Sequence, residues 1–209
     1  INNFLIKKNS FIFESVEKRR IRGRYTIIGA DPDKIWEFSD NKIHIIENNK
    51  RKNIKSSPYA FLKKLIENFN FPLPKNLPPL CSLLVGYFSY DIIRYIEKIP
   101  DKCLDDLKIP DIRLMRPKTI IIHDNVLKKI YFIKNCFADE KINNYQKYFS
   151  ELKQNINFLK NLAFDFSYKN PVQITRNKKI DVKSNVSKKR FKNMVLKAKK
   201  YIKKGDIFQ

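Results

Sequence analysis

The front of the chain alternates between short apolar runs and polar turns. The runs are rich in β-branched and aromatic residues, which favour strands. They lie at residues 11–16, 25–28, 35–38 and 43–46. Gly29, Asp31 and Pro32 are typical turn residues between the second and third runs, and the polar tetrapeptide at 39–42 is typical of a hairpin. The pattern predicts an antiparallel meander.

The middle of the chain predicts one helix and one buried strand. Ser57 and Pro58 supply the cap and the first-turn residue of a helix, and apolar residues then recur at helical spacing up to Phe69. A proline-rich connector follows. The apolar and aromatic run at 83–90 is long enough for a buried strand, and Asp91 is placed to cap a short helix after it.

The second half contains the clearest hairpin pattern of the chain. Its two strands are predicted at 118–124 and 129–133. A helix is predicted over 139–162, and the polar, irregular stretch at 164–184 is typical of a linker between domains.

The end of the chain predicts a further amphipathic helix. Ser187 is a suitable N-cap, and Gly205 is a suitable C-terminal stop. Strands and helices therefore mix without the regular βαβ alternation of a doubly wound sheet. This mixture predicts the α+β class.

The chain is strongly basic. Among its 209 residues, 44 Lys and Arg stand against 21 Asp and Glu, which gives a net charge of +23. The basic residues are spread along the chain, and no zinc-ligand pairs, basic zipper or aromatic RNA-binding run accompanies them. We therefore expect a solvated basic surface and no nucleic-acid partner. No apolar run approaches the roughly 20 residues that span a bilayer, so we expect a cytoplasmic protein with no membrane partner.

The cysteines and histidines carry no recognisable motif. Cys81, Cys103 and Cys136 are odd in number and lack the spacing of zinc ligands or of a disulfide framework, so buried reduced thiols are expected. His44 and His123 lie in strand-like runs without a nucleophile motif nearby, which favours positions on a strand face over catalysis.

Five segments spread over nearly the whole chain carry a more specific pattern. They are FIFESVE (11–17), RGRYTIIGADP (22–32), LVGYFSYDIIRYIE (84–97), PDIRLMRPKTIIIHD (110–124) and SNVSKKRFKNMVLKAKKYIKKGDIFQ (184–209). In this order they resemble the family of anthranilate synthase component I, the large subunit that uses chorismate. Because the chain begins with Ile1 and ends at Gln209, just after a run that reads like the start of an element, we expect an internal piece of such a subunit.

The resemblance implies a layered α/β/β/α sandwich, in which an N-terminal domain packs on a larger chorismate-binding domain. It implies that residues 1–165 form the N-terminal regulatory domain and that residues 166–183 form a linker. Residues 184–209 would be the truncated start of the catalytic domain.

The reaction implied by the resemblance converts chorismate and ammonia to anthranilate and pyruvate. The family uses Mg²⁺, and its ammonia comes from glutamine through a glutamine amidotransferase partner, component II. The family's metal-binding glutamates, substrate contacts and elimination base belong to a segment beyond Gln209. We therefore expect no metal ligand in this chain and no synthase activity from the 209-residue piece alone.

The first two segments match the part of the family that binds L-tryptophan as a feedback inhibitor. A ligand ammonium needs a carboxylate, here Glu14, and a hydroxyl acceptor, here Ser15. Arg24 matches the basic position after the first loop and would balance charge near the pocket. The alternative interpretation is that Glu14 and Ser15 end a strand and that Arg24 is an ordinary surface cation.

Gln209 bears on the type of reaction. In related chorismate enzymes that add water, a lysine at the corresponding position acts as general base, because water is a poor nucleophile until it is deprotonated. Ammonia attacks as a neutral amine and needs no such base. A neutral Gln209 therefore favours the aminating branch, and the alternative is a plain polar residue at the start of a strand.

Two other functions compete with this interpretation. The large subunit of aminodeoxychorismate synthase also aminates chorismate and shares a glutamine at the position of Gln209. A stand-alone amino-acid-binding module is the alternative from a different class. The aromatic stretch from Gly86 to Asp91 resembles an active site less than a core strand that turns into a helix, with Arg94 and Glu97 predicted to form an ion pair on that helix.

Overall fold

The computed structural model describes residues 8–14, 23–70, 72–102, 104–139, 145–164 and 183–209. The chain divides into two compact units, Ile1–Asp165 and Phe166–Gln209. Ser15, Cys103 and residues 166–182 of the predicted linker at 166–183 lie outside the described residues. The assignment of the two units to a regulatory and a catalytic domain stays a prediction.

The described part of the first unit contains a seven-stranded antiparallel sheet. The strands are β1 (Phe11–Phe13), β2 (Tyr25–Ser39), β3 (Lys42–Glu47), β4 (Lys50–Ile54), β5 (Val85–Phe88), β6 (Ile112–Asp124) and β7 (Lys129–Lys134). The order across the sheet is β4-β3-β2-β6-β5, with β1 paired to β2 and β7 paired to β6. Together with the helices, this sheet confirms the predicted mixture of α and β structure.

Two long strands, β2 and β6, form the centre of the sheet. They pair along almost their full lengths, from Tyr25 opposite Asp124 to Phe38 opposite Ile112. The half that contains Tyr25 and Asp124 is flanked by β1 and β7. The half that contains Phe38 and Ile112 is flanked by β3 and β5. The prediction of two separate strands at 25–28 and 35–38 was wrong, because one continuous strand covers both runs.

A β-bulge absorbs the turn residues that suggested a break in β2. The register between β2 and β6 shifts between Pro32 and Lys34, so Asp33 is the extra residue. Asp31 has a φ of 53°, and Pro32 lies opposite Pro117 of β6. Since proline has no N–H to donate, it is tolerated within a sheet at a bulge and seldom elsewhere.

Two tight turns join β2, β3 and β4 into a meander. Asp40 and Asn41 both have positive φ, as a two-residue hairpin of the type I′ kind requires, and this confirms the predicted turn. Asn48 and Asn49 also have positive φ and form the turn between β3 and β4. The strand β4 was not predicted, because its sequence KRKNI is polar and lies at an edge of the sheet.

Buried hydrophobic clusters lie against both halves of the β2–β6 pair. The helix α1 (Pro58–Asn68) packs Phe61, Leu62 and Leu65 against a buried cluster. The cluster consists of Trp36, Phe38, Ile43, Ile112 and Leu114. Ser57 is the N-cap, with Pro58 in the first turn, so the predicted start of α1 is confirmed. In the other half, Cys81 is buried among isoleucines of β2, β6 and β7.

The aromatic stretch after residue 83 differs from its prediction. The strand β5 is an edge strand, and only its first residue, Val85, is buried. A 3₁₀ helix, Tyr90–Tyr95, follows with Ser89 as its N-cap, so the prediction that Asp91 caps the helix was wrong. Asp91 instead binds Arg94 at 2.9 Å, in place of the predicted pair of Arg94 with Glu97.

The helix α2 (Tyr145–Phe164) closes the described part of the first unit. The second unit contains α3 (Lys188–Lys204), whose N-cap Ser187 accepts a hydrogen bond from the backbone N–H of Arg190 at 3.3 Å. Gly205 ends α3 with a φ of 77°, as predicted. The apolar residues of α3 are exposed within this unit.

The two histidines lie in strands of the sheet, and the two described cysteines differ in their burial. His44 and His123 lie in β3 and β6, as predicted. Cys81 is buried as expected. The prediction was wrong for Cys136, which lies after the end of β7 with its side chain exposed. Among the described residues, none of the helices combines the length and apolar character that crossing a lipid bilayer requires.

Candidate functional site

An open depression lies where β1 ends. It has a volume of about 300 Å³ and is lined by Ile12, Phe13, Glu14 and Tyr25. Ile12 and Phe13 are exposed, so the walls offer apolar and aromatic surface beside one carboxylate. Glu14 is also exposed and immediately follows β1. The depression is shallow and largely open to solvent, and its volume is at the small end of the range for ligand sites in proteins.

The position of β1 depends on close packing over a glycine of β2. Phe11 lies opposite Gly29 in the register, and a Cβ on Gly29 would lie 2.1 Å from the Phe11 ring. The Phe11 and Phe13 ring centroids are 4.9 Å apart. The absence of a side chain at Gly29 therefore lets β1 lie close to β2, and β1 in turn sets the position of Glu14.

Arg24 precedes Tyr25 at the start of β2 and is bound to the end of β6. Its Nε and Nη2 donate to both carboxylate oxygens of Asp124, at 2.7 to 3.1 Å. The guanidinium carbon of Arg24 lies 4.9 Å from the centroid of the Tyr25 ring. The structure thus places Arg24 next to a residue that lines the depression, but its guanidinium is held by Asp124. A contact between Arg24 and a ligand stays a prediction, as does the role of Ser15.

Asp124 is a residue of this region that the sequence did not indicate. Its side chain is 1% exposed, and its Oδ1 also accepts hydrogen bonds from the backbone N–H groups of Val126 and Leu127 at 2.9 and 3.0 Å. The hydrogen bonds from Arg24 lower the pKa of Asp124 from 3.8 to about 2, against the opposing effect of burial and with help from the two N–H groups. An aspartate directly before the turn of a hairpin commonly caps the turn, and this position was the indication that the sequence offered for Asp124.

The low pKa of Asp124 predicts a defined dependence of stability on pH. Since the pKa is lower in the folded chain than in the unfolded chain, the charged carboxylate stabilises the fold above about pH 4, and this stabilisation is lost as the pH falls towards 2. We expect Asp124→Asn to lower the urea midpoint at pH 6. The difference between the two proteins should shrink steadily between pH 4 and pH 2.

Urea titrations of the two proteins at several pH values measure this difference. Asn keeps an oxygen acceptor for Val126 and Leu127 and removes the charge, so the comparison isolates the ion pair with Arg24. A midpoint difference that stays constant from pH 6 to pH 2 would contradict the assignment.

The residues that line the depression are suited to binding a ligand. Glu14 offers a carboxylate to an ammonium group, and Phe13 and Tyr25 offer aromatic surface to a flat apolar side chain. The described residues include no group of three or more His, Cys, Asp or Glu placed to hold a metal ion. The use of Mg²⁺, with its ligands expected beyond Gln209, stays a prediction, and no chemical step is assigned to it.

Gln209 is exposed and lies four residues beyond the C-cap Gly205 of α3 in the second unit. Its role in selecting the nucleophile stays a prediction. An open groove of about 360 Å³ lies along the first turns of α3. Its lining residues are Ser187, Lys189, Arg190, Asn193, Met194 and Lys197. They all belong to one exposed helix and its cap, so the groove is a feature of the helix surface.

Comparison with known proteins gives a family match over almost the entire chain. The family model described as chorismate binding enzyme matches residues 8–209. The match covers both units, including the depression, Arg24, Asp124 and α3.

Individual relatives carry the name anthranilate synthase component 1. Anthranilate synthase component 1 of Acetivibrio thermocellus is 33% identical over 205 residues, which cover 95% of this chain and 41% of the relative. The protein of the same name from Saccharomyces cerevisiae is 32% identical over 209 residues, which cover 97% of this chain and 38% of the relative. The chain therefore spans about two fifths of the length of these relatives.

A solved structure supports the fold. The crystal structure of anthranilate synthase component I from Streptococcus pneumoniae matches with a TM-score of 0.65 at 20% sequence identity. The match covers 95% of this chain and 41% of that chain.

Proposed function

This chain belongs to the chorismate-binding enzyme family, and we propose that it is the N-terminal part of an anthranilate synthase component I. The observation that carries the proposal is the match to proteins of that description over 95 to 97% of this chain, at 32 to 33% identity. We further propose that the intact protein forms the layered α/β/β/α sandwich expected of the family. The mixed fold with its antiparallel sheet supports that proposal.

The proposed reaction of the intact protein is the conversion of chorismate and ammonia to anthranilate and pyruvate. The enzyme would use Mg²⁺ and would receive ammonia from a glutamine amidotransferase subunit. Because this chain spans only about 41% of a relative's length, we assign the chemical steps to residues outside it. Gln209 is the one position of this chain for which we propose a role near the reaction, as a neutral residue suited to an amine nucleophile.

The proposed role of the first unit is to sense L-tryptophan. Glu14 would bind the ammonium group, and the apolar and aromatic walls of the depression would contact the indole ring. The depression is shallow and largely open to solvent. Since a ligand of this kind is usually surrounded over most of its surface, we propose that the rest of the intact protein completes the site.

An activity assay tests the proposed reaction. The intact protein should form anthranilate from chorismate, ammonium and Mg²⁺, and the 209-residue chain should form none. Formation of aminodeoxychorismate instead would support the aminodeoxychorismate synthase alternative. An intact protein that transforms no chorismate, but binds tryptophan, would support the alternative of a binding module.

Substitution of Glu14 tests the proposed tryptophan site. A hydrogen bond to a charged group is worth roughly 1.5 to 3 kcal/mol, so Glu14→Gln should weaken tryptophan inhibition of the intact enzyme by about tenfold or more relative to any change in KM for chorismate. Glu67→Gln is a matched control, because Glu67 is an exposed glutamate on α1. Equal tryptophan inhibition of the Glu14 and Glu67 variants would refute the site.

A further inference from the structure

We infer that Asp124 is a positioning residue for the proposed tryptophan site, which it acts on through Arg24 and Tyr25. The inference rests on the proposed function of the depression. It goes beyond the residues that the resemblance marks, because Asp124 lies 100 positions after Arg24 and does not line the depression.

The side chain of Asp124 fixes Arg24 in one orientation. Oδ1 accepts from Nε and Oδ2 accepts from Nη2, and such a fork-to-fork arrangement restricts the plane of the guanidinium as well as its position. Arg24 is 34% exposed, so without Asp124 a long, flexible side chain would be free to move at the surface. The carboxylate therefore converts a mobile cation into a fixed one.

The fixed guanidinium in turn contacts a wall of the depression. Its carbon lies 4.9 Å from the Tyr25 ring centroid, which is within the range of a cation–π contact. Tyr25 also lies directly opposite Asp124 in the register of β2 and β6. A chain of direct contacts therefore runs from the buried carboxylate through the guanidinium to an aromatic ring that lines the depression.

Further hydrogen bonds from the turn after β6 hold the two residues that directly precede β2. The backbone N–H of Asn125 donates to the carbonyl oxygen of Arg24 at 2.8 Å, and the Asn125 side chain donates to the carbonyl of Gly23 at 3.4 Å. Asp124 itself accepts from two N–H groups of this turn. One buried carboxylate thus shapes the turn and also holds Arg24.

The pairing has an electrostatic consequence for ligand binding. Asp124 neutralises Arg24, so Glu14 is the negative charge that the depression offers to an ammonium group. If Asp124 lost its charge, Arg24 would become an unneutralised cation beside Tyr25, which lines the same depression as Glu14. We expect the loss of the fixed guanidinium to weaken the binding of an amino acid without requiring the fold to change.

The experiment uses the intact enzyme with four substitutions. Asp124→Asn and Arg24→Met remove the pair from either side, Glu14→Gln removes the proposed ligand contact, and Asp91→Asn breaks the exposed pair with Arg94 as a matched control. The dissociation constant of L-tryptophan is measured by calorimetry, and KM and kcat for chorismate are measured in the same preparations.

We expect Asp124→Asn to raise the dissociation constant of tryptophan about fivefold or more relative to the change in KM, whereas Asp91→Asn leaves this ratio unchanged. The double variant of Arg24→Met and Asp124→Asn should bind tryptophan like Arg24→Met alone, because both substitutions act through one pair. A merely structural role for Asp124 would lower the melting temperature without moving this ratio.

The outcomes distinguish the positioning role of Asp124 from the proposed tryptophan site itself. If Glu14→Gln weakens tryptophan binding and Asp124→Asn does not, the positioning role is refuted and the site stands. If the unsubstituted enzyme does not bind tryptophan, the proposed sensing function itself fails. Should Asp124→Asn be insoluble, Asp124→Glu keeps the charge but displaces the guanidinium, and unchanged tryptophan affinity in that variant would overturn the inference.

Discussion

Replacing Gly86 by alanine is expected to lower the free energy of unfolding of the first unit by about 3 kcal/mol or more. A Cβ on Gly86 would lie 1.7 Å from the carbonyl oxygen of Arg113 in β6. The obstacle is backbone, so no side-chain rotation can relieve the overlap. Because Gly86 is paired with Leu114, the edge strand β5 would have to separate from β6.

Urea denaturation of the 209-residue chain measures this change. Gly29→Ala is an informative control in the same unit, since the nearest obstacle to a Cβ there is the side chain of Phe11, at 2.1 Å. A side chain can shift where backbone cannot, so that variant should lose less, about 1 to 2 kcal/mol. Similar losses at the two positions would contradict the proposed overlap at Gly86.

Replacing Arg116 by methionine is expected to cost about 3 kcal/mol. The Arg116 side chain is 10% exposed and binds Asp33, which is 13% exposed and forms the bulge of β2. Its Nη2 also donates to Asp139 at 3.0 Å, and its guanidinium carbon lies 3.9 Å from the Phe137 ring centroid. Burial alone would lower the pKa of Arg116, but the bonds to the two aspartates outweigh it and raise that pKa.

The loss arises because methionine leaves the carboxylate of Asp33 buried without its cation. Arg51→Met removes an arginine that is 55% exposed from its pair with Glu37, which keeps a second cation in Arg113, and should cost less than about 1 kcal/mol. The two variants are compared by urea denaturation at neutral pH. If Arg116→Met were as stable as Arg51→Met, the bulge would not depend on this ion pair.

Local structure in this chain was predictable where adjacent residues determine it. The turn at Asp40 and Asn41, the start of α1 at Ser57 and the end of α3 at Gly205 each follow from the conformational preferences of one or two residues. The hairpin predicted at 118–124 and 129–133 is also confirmed, by the pairing of β6 with β7.

The long central strands were not predictable from local sequence. Gly29, Asp31 and Pro32 favour a turn, but pairing with β6 holds the chain extended on both sides of them. The energy of that pairing comes from residues far away in the sequence, which a local pattern does not contain. For the same reason β5 was predicted to be buried, although its aromatic side chains lie at the exposed edge of the sheet.

The candidate site was predictable only in part. The resemblance marked Glu14 and Arg24, and the structure places Glu14 in the depression and Arg24 beside Tyr25. Asp124 was missed because its importance depends on the register between β2 and β6. An aspartate before a turn suggests a capping role, and the sequence does not show that an arginine at the start of β2 binds the same carboxylate.

The pairing of β2 with β6 also has a consequence for synthesis on the ribosome. The meander of β2, β3 and β4 can form as soon as it emerges, but β2 then has an unpaired side until β6 follows much later. During this interval a hydrophobic strand edge is open to other nascent chains. Because long-range contacts form slowly, translation speed before β6 should influence how much of the protein aggregates.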